Sequence, residues 1–197
     1  MKQVDIVYQL LSNNGGYLST KVAGEHGVSA STLKRMTDRG LLERVTHGLY
    51  ISAETIPDPF FVAQYRCPKG VFSHETALFL HDLSDRTPIK LMMTIPTGWN
   101  TRLTANDDII LFYCSPVLSR LGTIEVETAY GHKVTAYDAS RTVCDCMRYV
   151  DRLDKDLVLT ALKRYMKTPD IDRAQFLEYA SIFKMRNLAL RYMEVLS

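Results

Sequence analysis

The chain has 197 residues, 46% hydrophobic and 23% charged, with a formal net charge of +2. That is the make-up of a water-soluble globular protein with one medium or two small domains. No apolar run reaches the ~18 residues of a membrane span. The opening Met1-Lys2-Gln3-Val4-Asp5 carries an early acid and no long apolar core, so no secretory leader is expected. The cytoplasm is the expected location.

The first fifty residues predict three helices and a hairpin. Val4, Ile6, Val7, Leu10 and Leu11 recur at helical spacing, and Ser12-Asn13-Asn14-Gly15-Gly16 stops that helix. Ser19 opens a short second helix that Gly27 ends. Ser29 is a suitable N-cap for a third, with Leu33, Met36 and Thr37 inward and Gly40 at its close. Two short strands over 41–45 and 49–51 flank Thr46-His47-Gly48. This order is that of a winged helix-turn-helix, assigned to residues 1–55.

The stretch 52–59, with Pro57 and Pro59, reads as a linker. Beyond it, helices are predicted over 60–65 and 74–83, and strands over 71–73, 90–96, 108–113, 122–128 and 133–137. Helices follow at about 140–150, 154–167, 171–183 and 186–196. Strands before helices imply an α+β second domain, residues 56–197, with a mostly antiparallel sheet and C-terminal helices.

Charge is unevenly spread. Residues 1–50 hold six cations against four anions, 51–139 seven against ten, and 140–197 eleven against eight. Basic ends around an acidic middle permit two separate contacts with a polyanion. In the third helix Ser31, Lys34, Arg35 and Asp38 share one face, opposite Leu33 and Met36. Short hydroxyls near the start, long cations in the middle and an apolar back suit a helix presented to the major groove. Arg35 can fork onto guanine. Lys34 and Arg39 can pair with phosphates, as can the Ser29 and Thr32 hydroxyls. The wing adds Arg44 and His47. Lys163, Arg164, Lys167, Arg173, Lys184, Arg186 and Arg191 face only Asp170, Asp172 and Glu178 over 158–191. They form either a solvated surface or a second face for DNA or an acidic partner.

Other chemistry is set aside. Cys67, Cys114, Cys144 and Cys146 form no CxxC pair and have no histidine at zinc-ligand spacing. They read as reduced thiols, and no metal or cofactor is expected. His74 and His81 are seven residues apart, about 10 Å along a helix, too far for one zinc; His74 reads as a helix start and His81 as half-buried. Arg141 and Asp145 stand at i, i+4, the spacing of an ion pair. Asp107-Asp108 lack the Gly-Ser signature of a nucleotidyltransferase. No nucleophile–base pair is recognisable, and the chain reads as a non-enzyme.

Gly40-Leu41-Leu42-Glu43-Arg44-Val45-Thr46-His47-Gly48-Leu49-Tyr50 and the helices before it resemble the winged helix of the AbiEi-type antitoxins. Phe72-Ser73-His74-Glu75-Thr76-Ala77-Leu78, followed by Leu80-His81-Asp82-Leu83, resembles the start of that family's second domain. Asp138-Ala139-Ser140-Arg141-Thr142-Val143-Cys144-Asp145 is similar to its later Arg-Thr-x-x-Asp helix. Family members often carry Arg where this chain has His47. The resemblance implies a DNA-binding antitoxin of a bacterial abortive-infection operon. Such a protein represses its own promoter and counteracts a nucleotidyltransferase-like AbiEii toxin without a stable complex. A protein-interaction adaptor that grips its partner directly is the alternative reading. An enzyme acting on nucleotides is a third. The absence of a heptad or other dimer seam suggests a monomer that binds repeated sites on double-stranded DNA.

Overall fold

The computed structural model describes residues 2–99, 108–169 and 171–196. Asp107 and Asp170, named above, lie outside them. The chain divides into two compact units, Met1–Val62 and Ala63–Ser197.

The first unit contains α1 (Gln3–Asn13), β1 (Tyr17–Ser19), α2 (Thr20–Glu25), α3 (Ala30–Asp38), β2 (Leu42–Thr46) and β3 (Leu49–Ser52). The three strands form an antiparallel sheet in the order β1-β3-β2. Three successive helix ends use one device. After α1, α2 and α3 the chain turns left-handed at Gly15 (φ +60°), Gly27 (φ +74°) and Gly40 (φ +70°). The next amide then reaches back: Gly16 N–H to Leu11 O at 2.8 Å, Val28 N–H to Ala23 O at 2.9 Å and Leu41 N–H to Met36 O at 3.0 Å. These are Schellman closures, which need a residue tolerant of positive φ. Ser19 and Ser29 Oγ cap α2 and α3, accepting from Val22 N–H and Thr32 N–H. The helices enclose Val7, Leu10, Leu11, Leu18, Ala23, Val28, Leu33, Met36 and Leu42. This core is small, so each buried Leu, contributing about 1.5–3 kcal/mol, matters to it.

Helix α4 (Pro59–Arg66) crosses the division at residue 62. The second unit then holds β4 (Val71–Phe72), α5 (His74–Leu80), β5 (Leu91–Pro96), β6 (Ile109–Cys114), β7 (Thr123–Glu127), β8 (Lys133–Tyr137), α6 (Ala139–Arg148), a 3-10 turn (Val150–Arg152), α7 (Lys155–Lys167), α8 (Arg173–Ile182) and α9 (Arg186–Leu196). Its sheet runs β6-β5-β4-β8-β7. Pairs β4–β5 and β7–β8 are antiparallel, whereas β5–β6 and β4–β8 are parallel. The second-unit sheet is therefore evenly mixed, more parallel than strand order alone implied. The segments 97–108 and 73–132 that join the parallel partners are long enough for the crossovers such pairs require.

Helix α6 is the centre of this unit. Eight consecutive residues, Ser140 to Met147, are buried, and α6 packs on α5, α7 and α8. Val143, Cys144 and Met147 meet Leu78, Val158, Leu162, Tyr165 and Phe176 in one apolar cluster. Because α6 is buried on every side, its polar residues must find partners inside. Arg141, 1% exposed, does so through Nε and Nη1. Its Nε donates to Asp145 Oδ2 at 2.8 Å, and its Nη1 donates to Leu118 O and Leu121 O, both at 2.9 Å. The guanidinium lies between the rings of Tyr137 (4.2 Å) and Phe183 (4.5 Å). Arg148 Nη1 adds a 3.2 Å bond to Asp145 Oδ1. Gly122, at φ +74°, passes so close that a Cβ there would meet Asp138 Oδ2 at 2.8 Å and Arg141 Cβ at 3.0 Å.

Candidate nucleic-acid interface

Helix α3 presents the predicted face. Leu33 and Met36 are each 1% exposed and point into the core. Ser31, Lys34, Arg35, Asp38 and Arg39 are exposed. Among the described residues none of Lys34, Arg35 and Arg39 is held in an ion pair, so each cation keeps its full reach for an external anion. Such unneutralised charge suits counterion release at a phosphate backbone. Lys34 and Arg35 lie in the middle of α3, Asp38 in its last turn and Arg39 at its C-cap.

The start of the helix differs from the sequence expectation in one respect. Ser29 Oγ contacts Ser31 Oγ at 2.9 Å and Thr32 Oγ1 at 3.0 Å. Thr32 is buried, and its hydroxyl donates to Gln3 Oε1 on α1. Gln3 Nε2 donates in turn to Gly27 O at 3.0 Å. Gln3 thus ties the helix-turn-helix turn to α1. Thr32 works in that tie rather than as an outward phosphate contact, whereas Ser29 and Ser31 stay at the surface. Sequence reasoning missed Gln3, because one glutamine 26 residues before the cap carries no local signal.

The wing is a two-residue turn, His47-Gly48, with Gly48 at φ +75°. Gly48 O accepts from Thr20 N–H at 2.9 Å, which docks the turn on the start of α2. Arg44 and His47 are both exposed but engaged with each other: Arg44 Nη2 donates to His47 Nδ1 at 2.8 Å, and Arg44 Nε donates to Thr46 O at 3.3 Å. The tip therefore offers one guanidinium already shared with Thr46 and His47, a modest charge for an external anion.

The second basic set is divided. Lys163, Lys167, Arg173, Lys184, Arg186 and Arg191 are exposed. Arg164 is engaged by Asp85 in a two-armed ion pair, one arm 2.8 Å long, so its charge is already partnered. Arg186 Nη1 donates to Ser181 Oγ at 3.2 Å. Lys184 adopts φ +59° as it closes α8 in the manner of the glycines above.

Among the described residues, those first considered for catalysis sit in packed or ion-paired contacts. His74 begins α5 at φ +49° and is 1% exposed. Its ring stacks on Phe112 at 3.6 Å, Nδ1 contacts Ser73 Oγ at 2.9 Å, and Nε2 has no partner among the described residues. Burial, reinforced by the nearby Arg141 and Arg148 charges, lowers its pKa to about 3. His81 contacts Tyr137 O through Nε2 at 2.6 Å. Asp108 pairs with Arg66 at 2.6 Å. All four cysteines are free, and burial raises the thiol pKa of each. No group of three or more His, Cys, Asp or Glu side chains among the described residues is placed to hold a metal ion, and no helix among them is long and apolar enough to cross a membrane.

A tri-helical unit with a three-stranded sheet, a capped and cationic third helix and a hairpin beyond it is a winged helix-turn-helix. Residues 5–53 match the family described as "Transcriptional regulator, AbiEi antitoxin", a match that spans the winged unit from α1 to β3. The fold of nearly the whole chain is similar to the crystal structure of the RV2827C protein from Mycobacterium tuberculosis. That likeness has a TM-score of 0.65 at 11% identity and covers 95% of this chain and 75% of the other; at that identity it speaks for the fold alone. No protein of curated function matches the sequence significantly.

Proposed function

We propose that the chain is a DNA-binding antitoxin that represses its own operon and counteracts a nucleotidyltransferase-like toxin. The observation that carries this reading is the pair Lys34 and Arg35, exposed and unpaired on α3 inside the segment that matches an antitoxin regulator family. In this reading residues 1–55 read the promoter, with Arg35 on a base edge and Lys34, Arg39, Ser29 and Ser31 on phosphates. Residues 56–197 carry the antitoxic role in the cytoplasm without a stable toxin complex. The monomer occupies repeated sites side by side.

The test is binding to the DNA directly upstream of its own gene. Arg35→Ala weakens that binding by about 1–3 kcal/mol and relaxes base preference at one position. Lys34→Ala weakens binding to all sequences evenly. A double variant that binds its promoter as the parent does refutes α3 as the reader.

A further inference from the structure

The second unit has a groove that the DNA-reading role leaves unused. It opens where β5 ends, beside the segment that precedes β7 and the start of β4, and Lys69, Thr97, Trp99, Arg120 and Thr135 line it. The local sequence builds its aromatic wall. Pro96-Thr97-Gly98-Trp99 is a four-residue turn closed by Trp99 N–H to Pro96 O at 3.2 Å, with Gly98 at φ +83° in its third position. That is the type II geometry, which requires glycine there. Thr97 N–H is fixed to Cys114 O at 2.7 Å, so the turn is anchored to the end of β6. The result is a half-buried tryptophan, the single one in the chain, held at the groove rather than in a core.

The charges around it are unspent. Lys69 and Arg120 are exposed, and neither is ion-paired among the described residues. Lys69 Nζ stands 6.0 Å from the Trp99 ring centroid, at the outer limit of a cation–π contact, so an anion drawn to Lys69 lies beside the ring. The Thr97 and Thr135 hydroxyls have no hydrogen-bond partner among the described residues. Arg120 is positioned by the core: the carbonyls on either side of it in sequence, Leu118 and Leu121, are pinned by the buried Arg141. Two cations, one flat aromatic face and open hydroxyls are what a phosphorylated, planar ligand requires. A phosphate takes the cations, a base stacks on the indole and the hydroxyls meet sugar or base edges.

We infer that this groove binds a nucleotide unit, with Trp99 as the stacking platform and Lys69 and Arg120 as the phosphate contacts. Such a unit is supplied either by a free mononucleotide or by one residue of a single strand. The inference stands apart from promoter reading, because it rests on residues remote in sequence from α3.

The test uses the full chain carrying Lys34→Ala and Arg35→Ala, which weakens duplex binding through α3. Tryptophan fluorescence then reports this groove alone, since Trp99 is the only tryptophan. ATP, AMP, a short deoxythymidine single strand and inorganic pyrophosphate are titrated in turn. Saturable quenching by AMP or ATP is expected if the unit is free. Quenching by the oligonucleotide alone identifies a strand. In either case Lys69→Ala with Arg120→Ala weakens binding about tenfold or more, with the circular dichroism spectrum unchanged. Trp99→Ala, followed by calorimetry, loses roughly tenfold, within the range of one base–aromatic stack. No quenching by any of these probes overturns the inference. So does pyrophosphate binding as tightly as ATP, which would mark a simple anion site.

Discussion

Acid should weaken the second unit through one side chain. His74 is buried, neutral and held with its pKa near 3, against about 6.5 in an unfolded chain. Its folded pKa is depressed, so between these values the unfolded state binds the proton and the folded state does not. Its contribution is therefore complete above about pH 6.5 and is lost progressively as pH falls toward 3. At about pH 5 the loss comes to roughly 2 kcal/mol, from 1.36 kcal/mol per unit of displaced pKa. With a urea slope of about 2 kcal/mol per molar, the unfolding midpoint falls by roughly 1 M between about pH 7.5 and 5. The reference is His74→Asn, because asparagine tolerates the left-handed backbone at φ +49° and does not titrate. Its lower absolute stability does not matter, since only the change with pH is compared. Carboxylates that share the pH window act equally on both proteins. Urea midpoints that fall in parallel for parent and variant would refute the assignment of a neutral, water-excluded His74.

Further outcomes follow from other contacts. Arg141→Leu leaves the buried Asp145 carboxylate with only the 3.2 Å bond from Arg148 and costs about 3 kcal/mol, the lower end for breaking a buried pair, read as a loss of urea stability, while Arg141→Leu with Asp145→Leu recovers part of it. Ser29→Ala removes the α3 cap and the 3.3 Å bond from Ser29 Oγ to Gln3 Oε1, lowering stability by about 1 kcal/mol; thermal melts of the two proteins measure it. Replacing Lys163, Lys167 and Arg191 with alanine flattens the slope of log promoter affinity against log salt by up to about 2–3 units if this face meets DNA, with sequence preference retained. An unchanged slope in a folded variant returns the face to solvent.

How much could be read beforehand differed between the two units. In the winged unit, caps and stops lie next to the elements they define, so Ser29, Gly27 and Gly40 were legible as they stand. β1 was not, because three residues cannot display an alternation; it exists because Tyr17, Leu18 and Ser19 find Ile51, Tyr50 and Leu49 on a strand formed 30 residues later. The parallel pairs of the second sheet were hidden for another reason: strand order along the chain does not reveal which strands become neighbours, and β4 pairs with β8 about 60 residues later. The spacing of Arg141 and Asp145 announced an ion pair, while its burial depends on Tyr137 and Phe183, from two other elements. Arg164 read as a free cation because Asp85, its partner, lies 79 positions away. The Trp99 groove gave no motif, since its walls come from four separate stretches.

The lock around α6 bears on how this protein can change through descent. Gly122 leaves no room for a side chain, Arg141 depends on Asp145 for its countercharge, and Arg141 in turn holds the loop on either side of Arg120. A lineage that loses Asp145 alone passes through a chain whose buried Arg141 has lost its ion-pair partner, and one that loses Arg141 alone leaves Asp145 to Arg148 only. Positions 141 and 145 should therefore drift as a pair in an alignment of descendants, either both ionic or both apolar. Position 122 should remain glycine wherever the pair is kept, even where the DNA-reading residues 34 and 35 have diverged to suit new operators.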